Sequence, residues 1–247
     1  PGSPLIFESQ FPAIVEAGAN EPKRRLRFEG NPDLSRVGTV PLPPYITAKL
    51  DEESRYDTTY ATAPGSAAAP TAGLHFTPDL LNEVRTQGIS TVTVTLHVGL
   101  DTFRPVEAEN LADHRMHGES ALIAPAVAET MNERRGRLIA VGTTSVRTLE
   151  SFAEEDGRVH AGEMQTSLFI RPGYRFRAVS GMMTNFHLPR TTMLAMISAL
   201  AGYENIRAAY AEAIREEYRF LSFGDSMLIL PDEGVASHQI RSSALEV

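Results

Sequence analysis

Downstream of residue 76 the apolar positions switch repeatedly between a spacing of three to four and a spacing of two. Leu80, Leu81 and Val84 share one face after Thr77-Pro78, a start signal for a helix that Gly88 ends. Thr91 to His97 alternates strictly, with Val92, Val94 and Leu96 on one side and threonines on the other, which predicts a half-buried strand. Pro125 opens a helix carrying Val127 and Met131, and Arg137 to Val141 has the composition of a buried strand. The loop Gly142-Thr143-Thr144 leads into a helix from Ser145. Ser167 to Ile170 and Tyr174 to Val179 predict a hairpin around Pro172-Gly173. Thr191 starts an apolar helix to Ala201, Tyr203 to Tyr218 is amphipathic, and Ser226 to Leu230 is a last strand. This order predicts an α/β class, or mixed α+β if hairpins dominate, with a main mixed-sheet domain flanked by helices.

The first 45 residues follow no such rhythm. Lys23 to Phe28 is one short, half-polar strand, and Pro41, Pro43 and Pro44 punctuate an extended connector. The segment is too poor in apolar positions to bury a core alone. The expected organisation is therefore 1–45 as the remnant of a neighbouring domain with its connector, 46–230 as the main domain, and 231–247 as a tail.

Composition narrows the chemistry. With no cysteine, disulfides, thiolate zinc, iron–sulfur clusters and cysteine nucleophiles are excluded together. A net charge of −8 argues against a sequence-blind nucleic-acid binder, while leaving room for a locally basic groove. Lys23 and Lys49 are the only lysines, so almost all positive charge sits on arginine, which forks and stacks where lysine only attracts. No stretch reaches the ~18 apolar residues of a membrane span, and no leader is evident, so a cytoplasmic protein is expected.

Four segments place reactive side chains where elements end. Pro70 to Phe76 contains Gly73 and His75 within a small-residue run that begins at Ala61; such a run is either a linker or a surface that lets backbone approach a ligand. His97 ends the alternating strand and leads to Asp101 and Arg104. Gly142, Thr143, Thr144 and Ser145 form a turn before a helix, suited to a carboxylate or phosphate or to plain capping, with Arg147 opposing the helix dipole. Asn185, His187 and Arg190 cluster at a strand end before a capped helix, combining a base-reading amide, a proton-transfer group and an anion fork. A fifth patch, Tyr218 to Ser226, supplies core aromatics and Asp225, a turn residue or a lower-ranked proton-transfer candidate. No G-x-x-x-x-G-K-[ST] or G-x-G-x-x-G loop and no H-E-x-x-H occurs. His114 and His117 have a metal-compatible spacing but lack an evident third ligand, so no metal site is expected.

Taken in order, Pro41 to Ile46, Tyr56 to Tyr60, Pro64 to Phe76, His97 to Val106, His114 to His117, Gly142 to Glu150, Thr184 to Pro189 and Tyr218 to Leu230 resemble the S-adenosylmethionine:tRNA ribosyltransferase-isomerase family of queuosine biosynthesis. The resemblance covers roughly residues 41 to 230. It implies transfer and isomerisation of the ribosyl group of S-adenosylmethionine onto the 7-aminomethyl-7-deazaguanine of tRNA. The product is epoxyqueuosine, and adenine and methionine are released. It implies S-adenosylmethionine as co-substrate with no further cofactor, tRNA as partner, and a monomer. On that reading His97 and His187, and after them Asp225, are candidates for proton transfer. Arg104, Arg147 and the Gly142–Ser145 turn are candidates for the methionine carboxylate or tRNA phosphates, and the Ala67 to His75 run for adenine or ribose. Asn185 and Arg190 complete the substrate-binding set.

Two departures stand beside the resemblance. The family's N-terminal segment, with its Asn-Asp-Thr-Arg-type motif and the first part of an inserted β-barrel, has no counterpart, so residues 1 to 40 are expected to be the tail of that barrel. Asp101 stands where the family motif has glycine. Both motivate a rival, a non-catalytic tRNA- or nucleoside-binding remnant, which would bind without releasing adenine. A third reading, a hydrolase of small sulfonium or nucleoside compounds, ranks last because no activated nucleophile pair is evident.

Overall fold

The computed structural model describes residues 1–7, 11–17, 24–33, 38–48, 50–99, 116 and 118–231. The chain divides into two compact units, Pro1–Pro41 and Leu42–Val247. Arg104, Asp101, His114, His117 and the tail from 232 onward lie outside the described residues.

In the first unit, β1 (Pro4–Phe7), β2 (Phe11–Ala17) and β3 (Arg25–Phe28) form an antiparallel sheet in that order, with a bulge between Val15 and Ala17. Only one strand, β3, is anticipated from the sequence. The others are missed because Pro12 and the short runs around it break the alternation. Phe7 stacks at 5.5 Å on Phe28, and Glu16 accepts a 2.8 Å hydrogen bond from Arg27 Nε. Ile6 stays largely exposed. Among the described residues no closed barrel forms.

The second unit is mixed α/β. One sheet is antiparallel, in the order β4 (Thr95–His97), β5 (Glu119–Ile123), β7 (Gly162–Thr166). The other runs β6 (Ile139–Val141), β8 (Gly181–Asn185), β9 (Ser226–Ile229), with β6 and β8 parallel and β9 antiparallel to β8. Helices α1 (Pro78–Thr86), α2 (Pro125–Asn132), α3 (Thr143–Ser151), α4 (Thr192–Ala201) and α5 (Tyr203–Arg215) complete it. None is long and apolar enough to cross a membrane.

Most helix boundaries follow their caps. Thr77 Oγ1 accepts from Leu80 N at 3.1 Å with Pro78 in the first turn, and Thr191 Oγ1 accepts from Leu194 N at 3.2 Å. Helix α4 is apolar on nearly every face because it is sunk in the core, with Ile197 and Leu200 packed beside Met182, Val146, Leu149 and Phe152. Gly202, at φ 85°, ends α4 and begins α5 with no residue between. Full burial of side chains such as Ile197 contributes ~1.5–3 kcal/mol each.

Three elements depart from the sequence pattern. The ladder covers only Thr95–His97 of the alternating Thr91 to His97 run, since β5 offers partners only to that end. Helix α3 starts at Thr143, two residues before Ser145, because Gly142 takes the boundary conformation at φ 86°. The hairpin expected at Ser167 to Val179 does not form. The Pro172-Gly173 turn exists, closed by Tyr174 N donating to Arg171 O at 2.9 Å. Its outgoing arm, however, gives its amides to a side chain: Arg177 N donates to Glu150 Oε2, and Ala178 N and Val179 N donate to Glu150 Oε1, at 2.9–3.1 Å. Tyr174 Oη completes the set at 3.1 Å. The strand that pairs with β5 is instead the polar run Gly162–Thr166.

Glu150 is 2% exposed, so its carboxylate replaces a missing strand partner in the interior. Removing it strands three amides in a dry setting. Glu150→Ala is expected to cost about 3–5 kcal/mol and to lower the melting temperature by roughly 10 °C. Tyr174→Phe, which removes one donor and leaves the backbone satisfied, should cost ~1 kcal/mol. Thermal denaturation followed by circular dichroism checks both, and equal effects of the two changes would contradict this account.

Candidate functional site

Small residues decide how this site is assembled. From Gly65 to His75 the chain lies across the carboxyl ends of strands from both sheets of the second unit. At β4, Ala67 N donates to Val98 O at 2.9 Å, and Val98 N donates to Ser66 Oγ at 3.1 Å. The His97 ring sits against Gly65, where an added Cβ would come within 3.1 Å of Nδ1. At β6, Gly142 lies beside Ala72, where an added Cβ would make an ordinary 3.5 Å contact with the alanine methyl. At β8, Asn185 Nδ2 reaches Thr71 Oγ1 at 3.4 Å.

The run ends in a one-turn 3-10 helix, Thr71–His75, placed beside β8 and beside a second such turn, Glu53–Tyr56. Gly73 within it admits no side chain: a Cβ there would overlap the Tyr60 hydroxyl and fall 2.8 Å from Thr58 Cγ2. The linker reading of Ala61 to Ala72 therefore fails for the part from Ala67 onward, which packs on the protein itself, while residues 61–66 are exposed.

The start of α3 opens onto the same strand ends. Gly142 N is tied to Met183 O at 2.8 Å, which fixes the turn between the parallel strands β6 and β8. The next three amides, of Thr143, Thr144 and Ser145, have no acceptor within the helix, and no side chain caps it. Their side chains are partly exposed, so donors and hydroxyls meet at a positive helix end.

Asn185 is 2% exposed. Its Nδ2 donates to Leu221 O at 3.0 Å and Ser222 O at 3.2 Å, which sets the amide orientation and leaves Oδ1 as an acceptor. The loop that provides those carbonyls is closed by Asp225, whose Oδ2 accepts from Arg219 N at 2.7 Å and Oδ1 from Arg219 Nη2 at 3.1 Å. The Arg219 amide, then its guanidinium, and more weakly His75, hold the Asp225 carboxyl below its ordinary pKa. Gly224 has no alternative in this loop, because a Cβ would collide with the carbonyls of Arg219 and Phe220.

Two of the candidates face other work. Arg147 is buried and pairs with buried Glu119 on β5. With α3 starting at Thr143, Arg147 lies two residues further along the helix than the sequence suggested, and it pairs with β5. Burial lowers its pKa to about 10, so it stays charged at neutral pH. Arg190 lies exposed past the end of β8 at φ 59°.

His187 is held on two sides. Its N–H donates to Tyr210 Oη at 2.8 Å, and Nε2 shares a 2.9 Å hydrogen bond with Thr184 Oγ1. The neighbouring aromatics Phe186, Tyr210, Tyr218 and Phe220 lie 5.1–5.7 Å apart, but the fifth patch is not core as expected: Tyr218 and Phe223 are exposed and Phe220 is half-buried, because the patch packs on Phe186 from the outside. Burial pushes the His187 pKa down to about 4, and the ring is neutral at pH 7. Sequence reasoning gave no site role to Thr58, which adjoins Gly73, to Ser222, whose carbonyl accepts from Asn185, or to Tyr45 and Tyr56, which adjoin Ser222 and Phe223. Tyr45 Oη and Ser222 Oγ share a 2.8 Å hydrogen bond across 177 residues of chain. Such a pairing leaves no local trace. Among the described residues no group of three metal-ligating side chains exists.

A histidine neutral in the fold but titrating near 6.5 when unfolded makes the unfolded state bind the extra proton. Stability should therefore fall as pH drops from about 6.5 toward 4. His187→Gln should flatten that slope by up to about one proton, measured by urea unfolding between pH 4.5 and 7. An unaltered slope would show that His187 charges freely in the fold.

Comparison with known proteins places this geometry. The family model described as "Queuosine biosynthesis protein" matches residues 1–229. The S-adenosylmethionine:tRNA ribosyltransferase-isomerase of Caldanaerobacter subterraneus subsp. tengcongensis is 56% identical over 200 residues, covering 80% of this chain and 59% of that protein. The protein of the same name from Moorella thermoacetica is 58% identical over 200 residues, covering 80% and 58%. The crystal structure of S-adenosylmethionine tRNA ribosyltransferase from Thermotoga maritima is 31% identical, with a TM-score of 0.52, covering 93% of this chain and 65% of that one. The chain spans somewhat under three fifths of the length of these two curated relatives. With a family match over nearly its whole length and more than half of the aligned residues identical to those of such relatives, the chain belongs to the queuosine biosynthesis protein family.

Proposed function

We propose that this chain carries the reaction centre for transfer and isomerisation of the ribosyl group of S-adenosylmethionine onto the 7-aminomethyl-7-deazaguanine of tRNA. The product is epoxyqueuosine, adenine and methionine leave, and the reaction takes place in the cytoplasm, where the tRNA is. One observation carries the reading. In a chain over half identical to proteins named for that activity, the small-residue run brings His97, the Gly142–Ser145 turn, His75 and Asn185 to the carboxyl ends of β4, β6 and β8. Ligands of α/β sheets bind at such strand ends.

The chemistry asks for a base to take a proton beside the sulfonium, help for departing adenine, and fixed placement of two large substrates. His97, partly exposed at its strand end, is the favoured proton-transfer group. His187, neutral and engaged on both sides, fits a positioning role, and Asp225 fits the closing of its loop. The unaccepted amides of Thr143 to Ser145 suit the methionine carboxylate. Arg104 and exposed Arg190 suit tRNA phosphates. In this reading the Pro1–Pro41 unit is part of the family's inserted β-barrel domain.

Incubating the 247-residue chain with S-adenosylmethionine and precursor-bearing tRNA should release adenine only when that tRNA is present. Tight binding of both without release would favour the non-catalytic remnant, and release without tRNA would favour a small-molecule hydrolase. His97→Ala should lower turnover by about 100-fold or more. Intact turnover and affinity in that variant would end its catalytic assignment.

A further inference from the structure

Four buried polar atoms on adjoining elements of the second unit have no hydrogen-bond partner: Tyr56 Oη, Thr58 Oγ1, His75 Nε2 and Asn185 Oδ1. Tyr56, Thr58 and Asn185 are 3%, 6% and 2% exposed. Folding disfavours every such atom, so four in one neighbourhood call for a cause.

The elements that carry them adjoin. Thr58 and the 3-10 turn bearing His75 meet at Gly73, and Thr71 in that turn meets the Asn185 amide. Asn185 in turn donates to Ser222 O, and Ser222 Oγ is taken by Tyr45. The Tyr56 hydroxyl lies near Ser222 yet makes no hydrogen bond of acceptable geometry, and burial pushes its pKa up to about 12, keeping it a neutral O–H.

The chemistry of the set limits what it can read. The two carbonyls that hold Nδ2 force Asn185 Oδ1 to accept, so the ligand must present an N–H or O–H donor there. Two hydroxyls and an imidazole nitrogen offer both donation and acceptance. No lysine or arginine belongs to the set, which disfavours carboxylate or phosphate. The Phe223 ring stands edge-on to Tyr56 at 6.0 Å, giving the neighbourhood an aromatic wall.

We propose that Tyr56, Thr58, His75 and Asn185 form a subsite that reads the edge of a purine-like nucleobase. This rests on the proposed function, which supplies two bases of that class: the adenine of S-adenosylmethionine and the 7-aminomethyl-7-deazaguanine of the tRNA. The four atoms are left unsatisfied in the free chain so that one of these bases satisfies them.

Tyr56→Phe and Thr58→Val test it, because each deletes one orphan hydroxyl while keeping shape. Binding of adenosine and of free 7-aminomethyl-7-deazaguanine to the 247-residue chain is measured by titration calorimetry, alongside melting temperature. Both variants should melt at or above the unmodified chain, since no partner is lost. Each should bind one of the two bases roughly 3- to 10-fold more weakly. Loss confined to adenosine assigns the subsite to the S-adenosylmethionine half of the reaction, and loss confined to the deazaguanine assigns it to the tRNA base. Unchanged affinity for both, no binding by the unmodified chain, or a clear drop in melting temperature overturns the subsite. Tyr56→Phe and Thr58→Val with unaltered affinities in a chain that still releases adenine would sink the subsite alone. Base binding with the expected losses in a chain that never releases adenine would sink the activity and keep the subsite.

Discussion

Close approach of a run of small residues to the strand ends is the constraint on which the second unit depends. Between Gly65 and His75 the chain crosses three strand ends with almost no side-chain bulk, and Gly73 sits where even a methyl group would overlap Tyr60. With larger residues the run would stand away from β4, β6 and β8, and the candidate groups on those strands would no longer share a surface. Residues that look like a linker by composition are thus in part packed against the strands, with Ala68, Ala72 and Gly73 buried and residues 61–66 exposed, because small size permits both outcomes and only contact selects one.

Around that run the fold is held by polar groups serving in place of secondary structure. Glu150 gives both carboxylate oxygens to three consecutive amides that would otherwise need a strand neighbour. Glu119 and Arg147 join β5 to α3, and so tie the antiparallel sheet to the helix leaving β6. Asp225 closes the loop whose carbonyls orient Asn185. Each of these charges has its partner within the fold. Of the buried side-chain atoms without a hydrogen-bond partner, Arg147 Nε and Glu119 Oε2 belong to an ion pair that compensates their charge, while Tyr56 Oη, Thr58 Oγ1, His75 Nε2 and Asn185 Oδ1 have no such compensation.

The chain's net charge of −8 is compatible with the proposed tRNA substrate on these terms. In that proposal a few arginines, a helix end and a base-reading subsite stand in for the diffuse positive field of a sequence-blind nucleic-acid binder. An acidic body with a local site suits selection of one modified nucleotide, since phosphate contacts position and base contacts specify.

The local signals in the sequence placed the helices to within about three residues and gave β4 and β6 their carboxyl ends, while β1, β2, β5 and β7 were not anticipated. Thr77-Pro78 and Thr191 cap where their chemistry says they should, α4 is apolar because it is buried, and β9 lies within one residue of its pattern. Family membership was also legible, because ordered motifs survive in the linear chain. The hairpin at Ser167 to Val179 was misread for a physical reason: pattern records that amides need acceptors, but not that a glutamate 27 residues earlier will supply them. Arg147 looked like an anion site until folding placed it against Glu119. The Tyr45–Ser222 bond, the neighbours of Gly73 and the unsatisfied edge of Asn185 arise between segments far apart in sequence, and side-chain identity alone cannot say which distant groups will meet. Capping, periodicity and motif order belong to the sequence; which charges are consumed, and which polar atoms stay open for a ligand, was decided by packing.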